Sequence, residues 1–187
     1  MTKPYLERVI WLTGLSGSGK TTTAKVLNRR LTENGLKTIW LDGDEMRRAL
    51  NGFREMMEFD RASRLKNALT YSRLCNMLSK QADVLIVSTI SMFSELYGFN
   101  RQTLDDYFEV FLDIPEEVRK RRDFKEVYKP TERGGIKNTW GVDLKVDEPE
   151  GANFRYNYCE GESPEAIASK ILSAMECHFQ VSREDTV

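Results

Sequence analysis

The sequence Gly14-Leu15-Ser16-Gly17-Ser18-Gly19-Lys20-Thr21 fits the pattern G-x-x-x-x-G-K-[ST]. In this pattern the glycines let backbone N–H groups surround phosphates, the lysine reaches the β- and γ-phosphates, and the hydroxyl residue is a ligand of Mg²⁺. Residues 9–13 form a short apolar run typical of a buried strand, and residues 20–31 carry apolar side chains at helical spacing. A glycine-rich turn alone would not explain the lysine and threonine. The pattern predicts a strand–loop–helix unit that binds ATP and Mg²⁺, with these ATP contacts: Gly14, Ser16, Gly17, Ser18, Gly19, Lys20, Thr21 and Thr22.

The remaining apolar runs predict the architecture. Strands are predicted at 38–41, 84–87, 107–114 and 154–158, and they alternate with helical patterns at 61–80 and after Ser163-Pro164. Strands that alternate with helices indicate a three-layer α/β fold, here a P-loop kinase fold with a five-stranded, mostly parallel sheet. Neither an internal repeat nor a linker is visible, so residues 1–187 are predicted to form a single domain. The segment 124–151 is rich in charge and glycine without sustained periodicity, which favours an active-site lid.

Composition excludes several classes of function. The chain has 28 Lys and Arg against 29 Asp and Glu, a net charge of -1, so we expect no binding to nucleic acid polymers. Apolar stretches of the length that a membrane span needs, about 18 residues, do not occur. The three cysteines lack metal-ligand spacing and are expected to be free thiols in the cytoplasm. His178, the one histidine, nearly excludes metal or triad chemistry based on histidine.

An acidic cluster follows the second predicted strand. Asp42, Gly43, Asp44 and Arg47 stand where the strand ends, and ligands of open α/β sheets bind beyond the strand carboxyl ends. A carboxylate there could orient an acceptor hydroxyl and accept its proton, and the arginine could bind an anionic group of the acceptor. The alternative is a turn with helix-capping acids. With the lysine of the loop, the predicted catalytic residues are Lys20, Asp42 and Asp44.

Three further groups are candidates for the site. Arg61 and Arg64 share one face of a predicted helix near its N-terminus, where they would hold an anion or form a solvated face. The segment 88–91, which includes Ile90 and Ser91, ends the third strand and could line the acceptor pocket. Basic residues that open the predicted lid could close over the ATP phosphates, although some of them would simply be solvated. The ones assigned to ATP are Arg122 and Lys125.

These segments together resemble the adenylyl-sulfate kinase family over about residues 9–150. Residues 14–22 resemble G-L-S-G-x-G-K-[ST]-T, and residues 41–47 resemble L-D-G-D-N-[VI]-R with Glu45 in place of Asn. Asp60-Arg61 stands at the spacing of the family's D-R-x-x-N. Residues 88–93, 122–129 and 136–143 resemble S-F-I-S-P-[YF], R-D-x-K-x-L-Y-K and I-K-x-F-T-G-I-D.

The resemblance implies transfer of the γ-phosphate of ATP to the 3′-hydroxyl of adenylyl sulfate. It places Asp42 and Asp44 near that hydroxyl and Mg²⁺, and Arg47 and Arg61 at the phosphosulfate end of the acceptor. Ser91 matches a pocket serine of the family. The resemblance also assigns two lysines to the lid, Lys125 and Lys137.

The departures from the family pattern all fall on the acceptor side. Met56 and Thr139 stand where the family has two aromatic rings that clamp adenine, and Trp140 follows the second position. Arg64 replaces the Asn of D-R-x-x-N, and Met92 replaces Pro. An added positive charge would suit a diphosphate acceptor, such as the cytidine diphosphoramidate that some relatives in surface-polysaccharide pathways phosphorylate.

Several alternatives stay open at this point. The acceptor is adenylyl sulfate or a cytidine diphosphate derivative. The rival enzyme class is a gluconate- or shikimate-type kinase, and the rival outside enzymes is a P-loop nucleotide-binding protein without turnover. Small nucleotides are the expected partners, and a homodimer is possible.

Overall fold

A computed structural model of the chain describes residues 8–51, 60–122 and 145–184. The elements alternate along the chain, as the apolar runs predict. They are β1 (Arg8–Thr13), α1 (Lys20–Glu33), β2 (Thr38–Asp42), α2 (Gly43–Asn51), α3 (Arg61–Ser79), β3 (Val84–Ser88), α4 (Ser94–Thr103), β4 (Tyr107–Asp113), α5 (Glu116–Arg121), β5 (Phe154–Asn157) and α6 (Pro164–Glu184).

The five strands form one sheet in the order β2-β3-β1-β4-β5, and every pairing is parallel. Strands β1 and β3 are buried along their whole length, as expected for a parallel sheet covered on both faces. Strand β1 lies between β3 and β4, so the chain leaves its carboxyl end at a topological switch point. Crevices at such points are the usual ligand sites of open α/β sheets.

Alternate side chains of β1 divide the core between two faces. Ile10 and Leu12 pack with α1 and α6 in one hydrophobic cluster, and Val9 and Trp11 pack with α3 and α4 in another. This period of two follows from strand geometry, in which successive side chains point to opposite faces. The predicted three-layer α/β fold is therefore confirmed.

Local sequence signals fix the ends of two helices. Gly35 has φ 79, the left-handed conformation that favours glycine after a helix, and follows α1. The Ser163 hydroxyl accepts a hydrogen bond from Ala166 N at 3.2 Å, and Pro164 is the first residue of α6, as predicted. Three shorter helices, α2, α4 and α5, were not part of the prediction. Within the described ranges, no helix has the length and apolarity needed to cross a bilayer.

Most of the predicted lid lies outside the described residues. The described part, 145–151, has no regular secondary structure, yet it is bonded to the rest of the domain. Asp147 N donates to Met92 O at 3.2 Å, Tyr97 Oη donates to Asp147 O at 3.0 Å, and Pro149 is buried. A lid that moves as a body would have to break these contacts or end before residue 145.

Candidate active site

The loop between β1 and α1 has the conformation that its glycines permit. Gly17 has φ 79, and a Cβ there would lie 2.8 Å from the carbonyl oxygen of Arg119, because the first turns of α5 pack directly on the loop. Lys20 Nζ donates to Leu15 O at 2.8 Å and to Ser18 Oγ at 3.3 Å. The ammonium group is thus held over its own loop, where it can meet phosphate oxygens together with the N-terminus of α1.

Asp42 connects three parts of the site. Its Oδ2 accepts hydrogen bonds from Thr21 Oγ1 at 2.9 Å and Ser88 Oγ at 3.0 Å. Its Oδ1 accepts from Asp44 N at 3.0 Å, which caps the start of α2. Asp42 lies beside Ser88 because the two residues are Cα partners in the register of β2 and β3. The carboxylate joins the phosphate-binding helix, the end of β3 and the helix that carries the next acid.

Asp44 and Arg47 form an ion pair between successive turns of α2, through Asp44 Oδ1 and Arg47 Nη2. Both side chains are about one third exposed, at 33% and 32%. Burial raises the pKa of Tyr71, and the positive charge of Arg47 opposes that rise. Asp44, a candidate base, and Arg47, a candidate anion ligand, are therefore adjacent in the part of α2 that follows Asp42.

The segment after β3 is held against β1 and α2. Thr13 Oγ1 donates to Ile90 O at 2.6 Å, and the hydroxyls of Thr89 and Ser91 are 2.9 Å apart. Ser91 has φ 25, a conformation that non-glycine residues rarely adopt. The structure places the predicted pocket residues Ile90 and Ser91 beside the end of β1, next to the loop.

The two arginines of α3 differ in their surroundings. Asp60 caps the helix, because its Oδ1 accepts from Ser63 N at 2.8 Å. Arg61 donates from Nη1 and Nη2 to the two carboxylate oxygens of Glu95, both at 3.0 Å, and from Nη2 to Asp147 Oδ2 at 3.0 Å. Arg64 is half-buried one turn further along. Arg61 is thus an ion-pair residue in this structure, an arrangement that sequence reasoning did not anticipate.

Four predicted site residues lie outside the described ranges: Met56, Lys125, Lys137 and Trp140. Arg122 follows α5 and is described; its guanidinium lies 5.5 Å from the ring centroid of Tyr158, beyond the end of β5. Thr22 is exposed in the first turn of α1, and Ser16 lies within the loop. In the three described ranges, no group of three metal-ligating side chains occurs.

Sequence reasoning missed one residue that supports the site, Trp40, and a buried ion pair elsewhere in the sheet. Trp40 Nε1 donates to Ser88 Oγ at 3.0 Å and so orients the hydroxyl that bonds Asp42. Glu109 is fully buried in β4 and bonded to Arg101 at 2.7 Å; burial raises its pKa and Arg101 opposes the rise. The sequence contained one sign of the Glu109–Arg101 pair, because Glu109 is a single acidic residue inside the apolar run of β4. Glu109 pairs with Trp11 in mid-sheet, away from the strand carboxyl ends.

Comparison with known proteins agrees with this geometry. The family model described as adenylylsulphate kinase matches residues 7–157. The chain belongs to the adenylylsulphate kinase family. It is accordingly an ATP-dependent phosphotransferase that acts on an alcohol group, and the rival of a gluconate- or shikimate-type kinase is not supported.

Two relatives and one solved structure illustrate the similarity. The chain is 37% identical over 164 residues to the cytidine diphosphoramidate kinase of Campylobacter jejuni, covering 88% of this chain and 92% of that protein. It is 33% identical over 181 residues to the adenylyl-sulfate kinase of Pseudomonas aeruginosa, covering 94% and 90%. The structure of the Mycobacterium tuberculosis APS kinase CysC in complex with AMPPNP and APS superimposes with a TM-score of 0.81 at 31% identity, covering 90% and 97%. The chain also matches bifunctional enzymes, of whose length it covers between 22% and 28%.

Proposed function

We propose that this enzyme transfers the γ-phosphoryl group of ATP to the ribose 3′-hydroxyl of a small nucleotide. The observation that carries the proposal is the double role of Asp42. Its carboxylate is bonded both to Thr21, in the first turn after the phosphate-binding loop, and to the backbone N–H of Asp44. A donor phosphate at the loop and an acceptor hydroxyl at Asp44 would be held at a fixed separation, and positioning of this kind supplies much of the catalysis in phosphoryl transfer.

On the donor side, the loop and Lys20 would hold the phosphates of ATP. The Nζ of Lys20 has two neutral oxygen partners in the loop, Leu15 O and Ser18 Oγ, which phosphate oxygens can replace. The ammonium group of Lys20 would then stabilise the negative charge of the transferred phosphoryl group, and its hydrogen bonds to charged oxygens would be stronger than those to neutral ones. Arg122, beside Tyr158, and Lys125 are proposed to complete the site over ATP.

Mg²⁺ fits the donor set that the structure brings together. Thr21 Oγ1 and Asp42 Oδ2 are oxygen atoms 2.9 Å apart, and hard cations such as Mg²⁺ bind to one or two such protein oxygens together with substrate phosphates and water. We propose that Thr21 holds the ion and that Asp42 orients it. When bound, Mg²⁺ would neutralise negative charge on the phosphates.

On the acceptor side, Asp44 is the proposed base and Arg47 the proposed anion ligand. Asp42 already accepts three hydrogen bonds, so its lone pairs are largely committed to holding the site together. Asp44 is paired with the neighbouring Arg47. An anionic acceptor would attract Arg47 and leave a carboxylate oxygen of Asp44 for the ribose hydroxyl.

A cytidine 5′-diphosphate derivative is the acceptor that we favour, with adenylyl sulfate as the second candidate. Arg64 adds a positive charge in the first turn of α3 where the family has Asn, and Met56 and Thr139 replace the two rings that clamp adenine. Loss of base stacking costs about 1–3 kcal/mol in nucleic-acid sites. The similarity to a cytidine diphosphoramidate kinase supports this choice, and the similarity to adenylyl-sulfate kinases supports the second candidate.

The test compares kcat/KM for cytidine diphosphoramidate and adenylyl sulfate with ATP and Mg²⁺. We expect the wild type to prefer the cytidine acceptor and Arg64→Asn to shift preference towards adenylyl sulfate by about tenfold, the value of one charged hydrogen bond. Lys66→Asn is the matched control, because it removes a positive charge from an exposed position of the same helix and should leave the preference unchanged. Efficient use of adenylyl sulfate by the wild type, with no shift in Arg64→Asn, would restore the second candidate.

Two further proposals concern the setting of the enzyme. The cytoplasmic location is inferred from the sequence, whereas the sequence does not determine the oligomeric state, for which a homodimer is one candidate; both stay proposals. Gel filtration with light scattering would measure the oligomeric state.

A further inference from the structure

Three side chains of β2 lie on the face of the sheet that α1 covers, and each has a polar partner. Thr38 Oγ1 donates to a side chain of α1 at 2.8 Å, and Asp42 Oδ2 accepts from Thr21 Oγ1 of α1 at 2.9 Å. Trp40 lies between them and bonds in another direction, because its indole N–H donates to Ser88 Oγ of β3 at 3.0 Å. The indole therefore ties β2 to β3 rather than to α1.

The register of the two strands brings Trp40 to Ser88. Asp42 is the Cα partner of Ser88, and Trp40 is the partner of Ile86, two residues earlier in β3. Trp40, Asp42 and Ser88 share one face, since side chains two residues apart on a strand point the same way. The ring of Trp40 also packs against the hydrophobic cluster beneath α1 and α6. Packing and the hydrogen bond together fix the orientation of the indole.

The hydroxyl of Ser88 has a single proton, and its two contacts set the direction of that proton. An indole N–H can only donate, and a carboxylate can only accept. Ser88 Oγ therefore accepts from Trp40 and donates to Asp42 Oδ2, each at 3.0 Å. Ser88 is 3% exposed, and successive hydrogen bonds in a buried chain strengthen one another. The result is a directed chain from Trp40 through Ser88 to Asp42.

We propose that Trp40 is a positioning residue for the site that holds Mg²⁺ and the nucleotide. This inference rests on the proposed function, in which Thr21 holds the ion and Asp42 orients it. Asp42 ends β2, the outermost strand of the sheet, which pairs with β3. The bond from Ser88 fixes Oδ2 of Asp42, the same oxygen that accepts from Thr21. Trp40 acts on the site through Ser88 and not by contact with the nucleotide.

The alternative role for Trp40 is packing alone, and the two roles predict different effects of Mg²⁺. If the indole only packs beneath α1, its loss disturbs the phosphate-binding loop and weakens nucleotide binding by the same factor with and without the ion. If the indole positions Asp42, its loss weakens nucleotide binding when Mg²⁺ is present and leaves binding without the ion unchanged. The gain in ADP affinity that Mg²⁺ provides therefore separates the two roles.

The measurement is the Kd for ADP by isothermal titration calorimetry, once with Mg²⁺ and once with EDTA. Trp40→Phe keeps an aromatic ring and removes the donor, and Ser88→Ala removes the hydroxyl that links the indole to Asp42. We expect each variant to reduce the gain from Mg²⁺ by about two- to tenfold, the effect of one hydrogen bond, with the Kd in EDTA within about twofold of wild type. An equal loss in both conditions, or no loss in either, would overturn the positioning role.

A double variant separates the hydrogen bond from the smaller volume of phenylalanine. In Ser88→Ala the chain is already broken, so adding Trp40→Phe should reduce the gain from Mg²⁺ by no more than about twofold further. Multiplied effects would overturn the chain. Tyr107→Phe is the matched control, because it removes the hydroxyl to which Asn100 Nδ2 donates at 3.2 Å from an aromatic ring at the amino end of β4. It should lower Tm and leave both Kd values unchanged.

A second measurement keeps the inference falsifiable if Trp40→Phe does not fold. The ¹H–¹⁵N signal of the Trp40 indole reports its hydrogen bond in the protein without ligands. It should move in Ser88→Ala and also in Asp42→Asn, although Asp42 is bonded to Ser88 and the chain reaches the indole only through that hydroxyl. A signal that stays in place in either variant would overturn the chain.

Failure of the proposed function gives a different result. ADP binding needs no acceptor, so the comparison with and without Mg²⁺ is unaffected if the wild type phosphorylates no nucleotide. In that case the proposed function is wrong, and the role of Trp40 is still decided by the Kd values. Conversely, a wild type that turns over a nucleotide acceptor, with an equal loss of ADP affinity in both conditions for Trp40→Phe, would keep the function and overturn the positioning role.

Discussion

The substitution Gly43→Ala tests how closely the acidic cluster must approach the end of β3. Gly43 is buried between Asp42 and Asp44, and it does not have a positive φ. A Cβ at this position would lie 2.7 Å from Thr89 Oγ1, 2.9 Å from Thr89 Cβ and 3.2 Å from Ser88 O. The need for glycine is therefore one of space and not of backbone conformation.

The neighbours have little freedom to move away. Thr89 is buried, its hydroxyl is bonded to Ser91, and its backbone N–H donates to Leu12 O. Overpacking at such a site costs about 1–3 kcal/mol, against which alanine returns up to about 1 kcal/mol in helix propensity. The junction of β2 and α2 must shift, and Asp42 and Asp44 shift with it. A displacement of about 1 Å at a catalytic group can cost about 100-fold in rate, so we expect kcat/KM to fall between about 10- and 100-fold.

The assay is ADP release with the preferred acceptor, together with thermal unfolding. Gly98→Ala is the matched control, since Gly98 lies inside α4 and a Cβ there has no heavy atom within 4 Å. It should keep full activity and gain about 0.5–1 kcal/mol of stability. Adding Thr89→Gly to Gly43→Ala removes the two nearest atoms and should restore part of the activity. If Gly43→Ala keeps wild-type kcat/KM, the close approach does not position the acids.

Three shorter predictions concern catalysis and the thiols. Lys20→Ala should lower kcat by at least about 100-fold with an unchanged circular dichroism spectrum, because a charge that meets the transferred phosphate is lost; near wild-type kcat would remove the loop from catalysis. Asp44→Asn should lower kcat while the KM for ATP stays within about twofold, as expected for a group that acts in the transition state; steady-state kinetics in which only the KM for ATP rises would assign the base elsewhere. Cys75 is buried, which raises its pKa to about 12, whereas Cys159 and Cys177 are exposed. A thiol reagent at pH 8 should modify two groups in the folded protein and three after denaturation, and a third fast group in the native state would contradict this burial.

Much of the fold could be predicted because its signals are local. Each predicted strand is found within one or two residues of its predicted ends, since a buried parallel strand is a continuous apolar run. Helices α2, α4 and α5 were not predicted, because their local signal is weak. They have 9, 10 and 6 residues, too few for a periodic pattern to stand out.

In the candidate site, too, the residues with a local sequence signal could be predicted as a group. Lys20, Thr21 and their loop lie within one stretch, so the spacing of residue types was enough to predict phosphate binding. The segments 52–59 and 123–144 lie outside the described residues, and the roles of Met56, Lys125, Lys137 and Trp140 stay predictions.

The sequence by itself determined the class of chemistry, because a phosphate-binding loop is built from consecutive residues whose backbone does the binding. Only the tertiary structure decided how the acids and arginines are used. Asp42 meets Ser88 through the register of two parallel strands, and Arg61 meets Glu95 and Asp147 across 34 and 86 positions of the chain. A charged side chain does not specify its partner from local sequence; the partner is set by how the sheet and helices pack, which depends on the whole chain.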